Sequence, residues 1–346
     1  MKLVSYLNDN EEQLGIFIGK YLYNLHSLHK GIPRTMEMFL ETYDEFIERL
    51  LPIEAALKSG KLAAKAIVFY ELLAPVPHPP SLRDAYAFRQ HVLTARRNRG
   101  LGMIEEFDQF PVFYFSNHRA IQGPGDIRCM PDHLEKLDFE LEVAIVIGKK
   151  GRNIKAGEAD RYIAGFMIMN DLSARRLQAD EMKFNLGPAK GKDFCTITGP
   201  WLVTPDELSQ YQTLTRPGHI GLVYDLPMRC WVNGKLVSEG NLKDMEWTFA
   251  EIIERISYGV EIYPGDVIGS GTVGTGCFLE LNGTGRLTDV NYLEQWLQVS
   301  DLVEMEVTGL GHLSNTISLS DSKASLRDSL LHINNLGSHL EIKDGL

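Results

Sequence analysis

The stretch Leu137-Asp138-Phe139-Glu140-Leu141-Glu142-Val143-Ala144-Ile145-Val146-Ile147-Gly148 decides the fold, because it alternates polar and apolar residues and then turns continuously apolar. That pattern predicts a β-strand over Glu140 to Ile147 that enters a core covered on both faces. Residues two apart share a strand face, so Glu140 and Glu142 project side by side. Two carboxylates that close repel unless a cation or a proton lies between them, and a hard, oxygen-liking cation would resolve the conflict. A solvated edge with both charges in water is the competing arrangement.

Working outward, Asn170-Asp171-Leu172-Ser173-Ala174-Arg175 follows the apolar run Ile163 to Met169 and places Asp171 where a buried strand hands over to a helix. Helix capping would account for that carboxylate without a ligand. Asp84, in Ser81-Leu82-Arg83-Asp84-Ala85-Tyr86, precedes His91 by seven residues, two turns on one face if the segment is helical. Gly269-Ser270-Gly271-Thr272-Val273-Gly274-Thr275-Gly276 holds four glycines and is followed by Cys277-Phe278-Leu279-Glu280-Leu281. It reads either as a turn between strands or as a loop whose backbone approaches an anionic ligand closely. Without a P-loop lysine or an obvious helix behind it, the loop argues against nucleotide binding.

Other short β-rich runs, Gly221 to Val232, Val267 to Gly269 and Val303 to Val307, are punctuated by Gly, Pro and Asn, so the larger unit should be mostly β with few helices. Toward the N-terminus, Leu14 to Ile18 and Tyr21 to Leu25 flank Gly19-Lys20 as a hairpin. Met36, Phe39, Leu40, Tyr43, Phe46, Ile47 and Leu50 mark one helix face with Thr35 as N-cap, and a second short helix follows Ile53. Strand-like Ala66 to Leu73 runs into the proline-rich segment Ala74 to Pro80, the best domain boundary. The expected organisation is a small N-terminal β/α domain over 1–73, a larger unit over 74–316 and a tail over 317–346, where Leu326, Leu330 and Leu331 suggest one short helix.

At 346 residues the chain has room for roughly two domains. Its 35 Lys and Arg against 46 Asp and Glu give a net charge of -11, a field that repels nucleic acid and anionic lipid. Cys129, Cys195, Cys230 and Cys277 lie far apart, with no zinc-site spacing. No signal-like h-region and no apolar run of roughly 18 to 20 residues suggests a membrane, so the cytoplasm is the expected compartment.

Taken in order, Asp84-x-Tyr86-x-x-Arg89-Gln90-His91, Asp138-Phe139-Glu140-Leu141-Glu142, Asn170-Asp171-x-Ser173-Ala174-Arg175, Leu186-Gly187-Pro188 to Gly191-Lys192, Gly271-Thr272 and Phe278-Leu279-Glu280-Leu281 resemble the fumarylacetoacetate hydrolase family over about residues 71 to 316. The resemblance implies an α+β, mainly β fold in which the larger unit is a mixed β-roll. It implies Mg²⁺ or Ca²⁺, with Mn²⁺ as a further candidate, bound by Asp84, Glu140, Glu142 and Asp171, an all-oxygen set that suits a hard cation. His91, oriented by Glu280, would activate water, and Lys192 would stabilise developing negative charge. Tyr86, Gln178 and Thr272 would contact the substrate.

The activity so implied is hydrolysis of a carbon–carbon bond in an acylpyruvate- or fumarylacetoacetate-like diketo acid, as in aromatic amino-acid catabolism. Hydration, isomerisation or decarboxylation of 2-oxo acids is the alternative within the family, and a non-catalytic metal-binding scaffold the alternative outside it. A homodimer acting on a small keto acid is expected. The glycine-rich loop is short, Thr272 to Gly276, and the carboxylate-binding arginine falls among Arg96, Arg97 and Arg99.

Overall fold

The computed structural model describes residues 1–322 and 324–329. Nine strands form the path of its main sheet: β1 (Lys2–Asn8), β2 (Glu11–Ile18), β3 (Tyr21–Asn24), β4 (Leu82–Ala85), β5 (Phe113–Ser116), β6 (Leu141–Ile147), β7 (Ile163–Asp171), β8 (Thr196–Val203) and β9 (Val267–Gly269). Their spatial order is β3-β2-β1-β8-β7-β6-β9-β4-β5, and the short pieces Glu71–Leu72 and Ile121–Gln122 join it at β1 and β8. Every pairing along the path is antiparallel except β9 with β4. A second sheet of five strands runs in the order Lys235–Asn241, Pro227–Val232, Leu302–Val307, Gly311–Leu319, Gly125–Cys129.

All seven residues of β6 are buried, and the alternation of its side chains explains the continuous apolar run. Leu141, Val143, Ile145 and Ile147 enter one core with Ile317 of the second sheet and with Phe249, Ile253 and Ile256 of helix α5 (Phe249–Ser257). Ala144 and Val146 enter another with Met36 and Phe39 of helix α1 (Met36–Glu41) and Phe46 and Leu50 of helix α2 (Tyr43–Lys58). Each of the larger of these side chains, Val, Leu, Ile, Met or Phe, contributes about 1.5–3 kcal/mol of burial. The strand is therefore apolar on both faces because each has its own partner layer.

The fold is α+β, built on mixed sheets, with differences from the expected elements. Thr35 caps α1 through Met38 N as expected, but the helix face expected over 36–50 divides at Thr42. The second helix then runs through Pro52 to Lys58, because buried Leu50, Glu54 and Leu57 anchor it on both sides of the proline. Of Ala66 to Leu73, only Glu71–Leu72 and a bridge from Ile67 to Leu22 pair, leaving Val68 and Phe69 in solvent. More helix follows residue 80 than the sequence pattern suggests: α3 (Arg89–Arg97), α4 (Arg175–Glu181), α5 and α6 (Phe278–Thr288). In the tail, 326–329 form a helical turn, while Leu330 and Leu331 lie outside the described residues. No helix among the described residues is long and apolar enough to cross a membrane.

Against α4, the 3₁₀ segment Pro131–Lys136 carries His133, whose Nδ1 accepts from Met130 N at 3.2 Å and whose ring stacks on Phe194. Burial, reinforced by Lys190, pushes this imidazole down to about 4. The native state thus excludes a proton that the unfolded chain takes up near pH 6.5, so the contribution is complete above that value and is lost as pH falls toward 4. The melting temperature should decline through this window more steeply in the wild type than in His133→Asn, and parallel profiles would overturn the assignment.

Candidate active site

Antiparallel and parallel registers gather the acidic residues at one end of the sheet. Asp84 on β4 lies opposite Gly269 of β9 and Tyr114 of β5, Glu142 of β6 lies opposite Met169, and Asp171 ends β7 opposite Thr196. One ligand oxygen from each of Asp84, Glu140, Glu142 and Asp171 lies within 4.8 Å of the others, and all four residues are buried. The solvated-edge arrangement for Glu140 and Glu142 is thereby excluded. Asp171 does not cap α4 either: the N-cap is Ala174, without a side-chain cap bond, and the Asp171 carboxylate accepts from Tyr114, Lys192 and Thr196.

The four carboxylates are not equivalent. Burial raises Glu140, but Lys192 and Arg175 outweigh it and hold the group below the usual carboxylate range. Arg175 Nη2 donates to Glu140 Oε1 at 2.6 Å, its Nε to Asp138 Oδ2 at 2.8 Å, and its Nη1 to Gln178 Oε1 at 2.9 Å. Asp84 and Glu142, in contrast, receive only neutral donors among the described residues: Gly271 N at 3.1 Å from each, and Thr272 Oγ1 at 3.2 Å from Glu142. Burial, then the Asp171 charge, pushes Asp84 up to about 8, and burial with its carboxylate neighbours pushes Glu142 well up. Asp171 is also raised by burial, with Lys192 offsetting part of the rise.

Two glycines make this approach feasible. A Cβ on Gly269 would lie 2.3 Å from Met169 Cε and 2.4 Å from Asp84 Oδ1, while Gly271 adopts φ +78° and turns its N–H toward both carboxylates.

The donor set fits a divalent cation. With all four carboxylates ionised, as a bound cation requires, four negative charges would face two positive ones, Lys192 and Arg175, which leaves two for the cation to compensate, and Arg175 is shared with Asp138 besides. All the donors are oxygen, as Mg²⁺, Ca²⁺ or Mn²⁺ prefer.

His91 lies in the first turn of α3, whereas Asp84 lies on the preceding strand, so the two do not share a helix as the seven-residue spacing suggests. The chain instead turns between them, and both reach one cavity of about 700 Å³. His91 Nδ1 is 2.6 Å from Glu280 Oε2, leaving Nε2 free to take a proton. Glu280 sits in the first turn of α6, so the glycine-rich loop does open a helix, contrary to its reading from the sequence. Asp138 anchors that helix by accepting from Phe278 N and Leu279 N at 2.7 and 2.9 Å.

Tyr86, Gln178, Lys192 and Thr272 line the same cavity, and Glu142 and Asp171 complete the carboxylate cluster behind it. Tyr86 packs edge-on against the His91 ring. Among the three arginine candidates Arg99 faces the cavity; Arg96 donates to Gly102 O and Arg97 to Thr284. Sequence reasoning leaves Tyr114, Arg175 and Arg286 without roles, although all three line the cavity. Arg175 stands inside a quoted motif, while nothing local marks the other two.

The site is thus a buried, all-oxygen carboxylate nest, suited to a divalent cation, beside a His–Glu pair on a mixed sheet. Residues 81–318 match the family model described as fumarylacetoacetate (FAA) hydrolase C-terminal, and the chain belongs to the fumarylacetoacetate hydrolase family, whose members bind divalent metals. It is 29% identical over 297 residues to the human mitochondrial oxaloacetate tautomerase FAHD2A, covering 85% of this chain and 83% of the human protein. It is 34% identical over 209 residues to the fumarylacetoacetase of Oryza sativa subsp. japonica, covering 52% of this chain and 48% of that one. The solved structure of maleylpyruvate hydrolase from Sphingobium sp. SYK-6 with manganese (II) ion and pyruvate shares the fold, with a TM-score of 0.65, 20% identity and coverage of 93% of this chain and 100% of that one.

Proposed function

We propose that the protein hydrolyses a carbon–carbon bond in a 2-oxo acid that carries a second carbonyl, an acylpyruvate- or fumarylacetoacetate-like diketo acid. The observation that carries this reading is the His91–Glu280 pair, whose free imidazole nitrogen belongs to the cavity that Asp84, Glu140 and Lys192 also line. Bound at Asp84, Glu140, Glu142 and Asp171, Mg²⁺, Ca²⁺ or Mn²⁺ would supply a Lewis acid for the enolate oxygens of the substrate. His91 Nε2 takes the proton of a water molecule as its oxygen attacks the distal carbonyl, and Glu280 stabilises the imidazolium through Nδ1. When the carbon–carbon bond breaks, its electron pair passes into the departing 2-oxo enolate, which His91 can then reprotonate at carbon. Lys192 offsets negative charge at the cavity wall, while Tyr86, Gln178 and Thr272 position the substrate oxygens.

The human relative favours a second reading, keto–enol isomerisation of oxaloacetate. The same base would then move a proton between carbon and oxygen with no water attack. Incubation of acetylpyruvate and of enol-oxaloacetate with the Mg²⁺-loaded protein separates the two. Pyruvate and acetate in equal amounts support hydrolysis; accelerated loss of the enol absorbance without cleavage products would replace it with isomerisation.

The assembly we propose is a homodimer, the commonest symmetric oligomer. Support comes from the family resemblance and from apolar side chains left in solvent in the larger unit, Leu214 at 91% and Ile220 at 53% exposure. Sedimentation should give twice 39.0 kDa, or 78.0 kDa, at micromolar concentration, and a 39.0 kDa species would overturn the proposal.

A further inference from the structure

Cys277 is a buried thiol that the reaction above does not use. It holds the N-cap position of α6, where Ser, Thr, Asp or Asn is the usual choice, yet its side chain makes no capping bond. Its sulfur, a ring nitrogen of His91 and a carboxylate oxygen of Glu140 lie within 4.8 Å of one another, and all three residues are buried. This donor set differs in kind from the neighbouring four carboxylates. One sulfur, one imidazole nitrogen and one oxygen suit a borderline-soft cation such as Zn²⁺, which Mg²⁺ and Ca²⁺ do not resemble.

The surroundings agree with that chemistry. Nδ1 of His91 is held by Glu280, which leaves Nε2 as the ligand atom, and a carboxylate on the second imidazole nitrogen is the usual outer support of a zinc-bound histidine. Asp138 and Glu140 add negative charge around the sulfur, against the guanidinium of Arg175, and Glu140 is itself paired with Arg175 and Lys192, so a cation there would share its carboxylate with both. Three protein ligands leave a fourth tetrahedral position for water from the cavity that His91 and Glu140 line.

We propose that His91, Cys277 and Glu140 form a second, sulfur-containing cation site for Zn²⁺, and that Zn²⁺ bound there withdraws His91 from catalysis and stops turnover. Binding replaces the thiol proton with the metal and leaves every oxidation state unchanged. The binding claim is independent of the reaction assigned above; the inhibition claim rests on it.

Cobalt (II) tests the binding claim without any activity measurement. With Mg²⁺ saturating the oxygen site, one equivalent of Co²⁺ should produce the near-ultraviolet charge-transfer band of a thiolate ligand, and Zn²⁺ should abolish it. Cys277→Ser should lack the band and keep its Mg²⁺ affinity. Zn²⁺ should inhibit the wild type, and the concentration for half-inhibition should rise on the order of 10²-fold in Cys277→Ser, since changes outside the ligand shell alone cost about 10- to 100-fold in affinity. Circular dichroism and a Cys277→Ala variant guard against misfolding. Absence of the band in the wild type, or its survival in a folded Cys277 variant, would overturn the site. A thiolate band with undiminished turnover would overturn the inhibition alone.

Discussion

His91→Ala should bind Mg²⁺ and oxalate, a small enolate mimic, as the wild type does, while turnover falls by about 10² to 10⁴, the usual worth of a positioned acid–base group. The separation is expected because the imidazole is outside the set of four carboxylates and is held instead by Glu280 at 2.6 Å. Calorimetry for the cation and oxalate, combined with steady-state rates, measures both halves. Wild-type turnover in the variant would make the histidine structural; loss of Mg²⁺ binding along with activity would make it a ligand of the oxygen site.

Glu142→Ala should do the reverse, removing the cation while the chain stays folded. Glu142 is fully buried, has no cationic partner among the described residues and shares Gly271 N with Asp84, so in the metal-free protein burial and its carboxylate neighbours oppose its ionisation. Deleting it removes a buried polar group from that unfavourable setting, which offsets the small void left behind. At a free Mg²⁺ concentration of 100 times Kd, the wild type should gain about 2.7 kcal/mol of stability by mass action. The variant should gain none and should melt, without metal, close to the wild type. Glu142→Gln, which preserves volume, should behave alike. An unchanged Mg²⁺-induced thermal shift in either variant would remove Glu142 from the cation shell.

The acidic positions were legible in the sequence because each is tied to a local pattern. Glu140 and Glu142 introduce an apolar run, Asp171 ends another, and the order of the short motifs along the chain links them. What joins them physically was not legible. The pairing of Arg175 with Asp138 and Glu140 spans 37 and 35 residues, and Tyr114 on the edge strand β5 reaches Asp171 on β7 although β6, β9 and β4 lie between them in the sheet order. The spacing of Asp84 and His91 fitted two helical turns equally well as strand, turn and helix, since their side chains converge in either case. The glycine-rich loop concealed α6 because Gly283 and Gly285 lie inside that helix and lower its apparent propensity. Gly283 is nevertheless suited to its place, for a Cβ there would lie 2.4 Å from Asn98 Nδ2 of the segment following α3.

The junction between β1 and β8 bears on how the chain can be divided. The family match begins at residue 81, yet Lys2 and Leu3 pair with Val203 and Leu202, and β2 and β3 extend the same sheet outward. A fragment trimmed to the matched region would therefore uncover backbone donors and acceptors along part of β8, and would strip Met36, Phe39 and Leu50 from beneath Ala144 and Val146. An unsatisfied strand edge beside a bared apolar layer is a template for self-association. The N-terminal hairpin and helices thus act as a built-in guard against aggregation for the sheet that carries the carboxylates, and they cannot be treated as a detachable module.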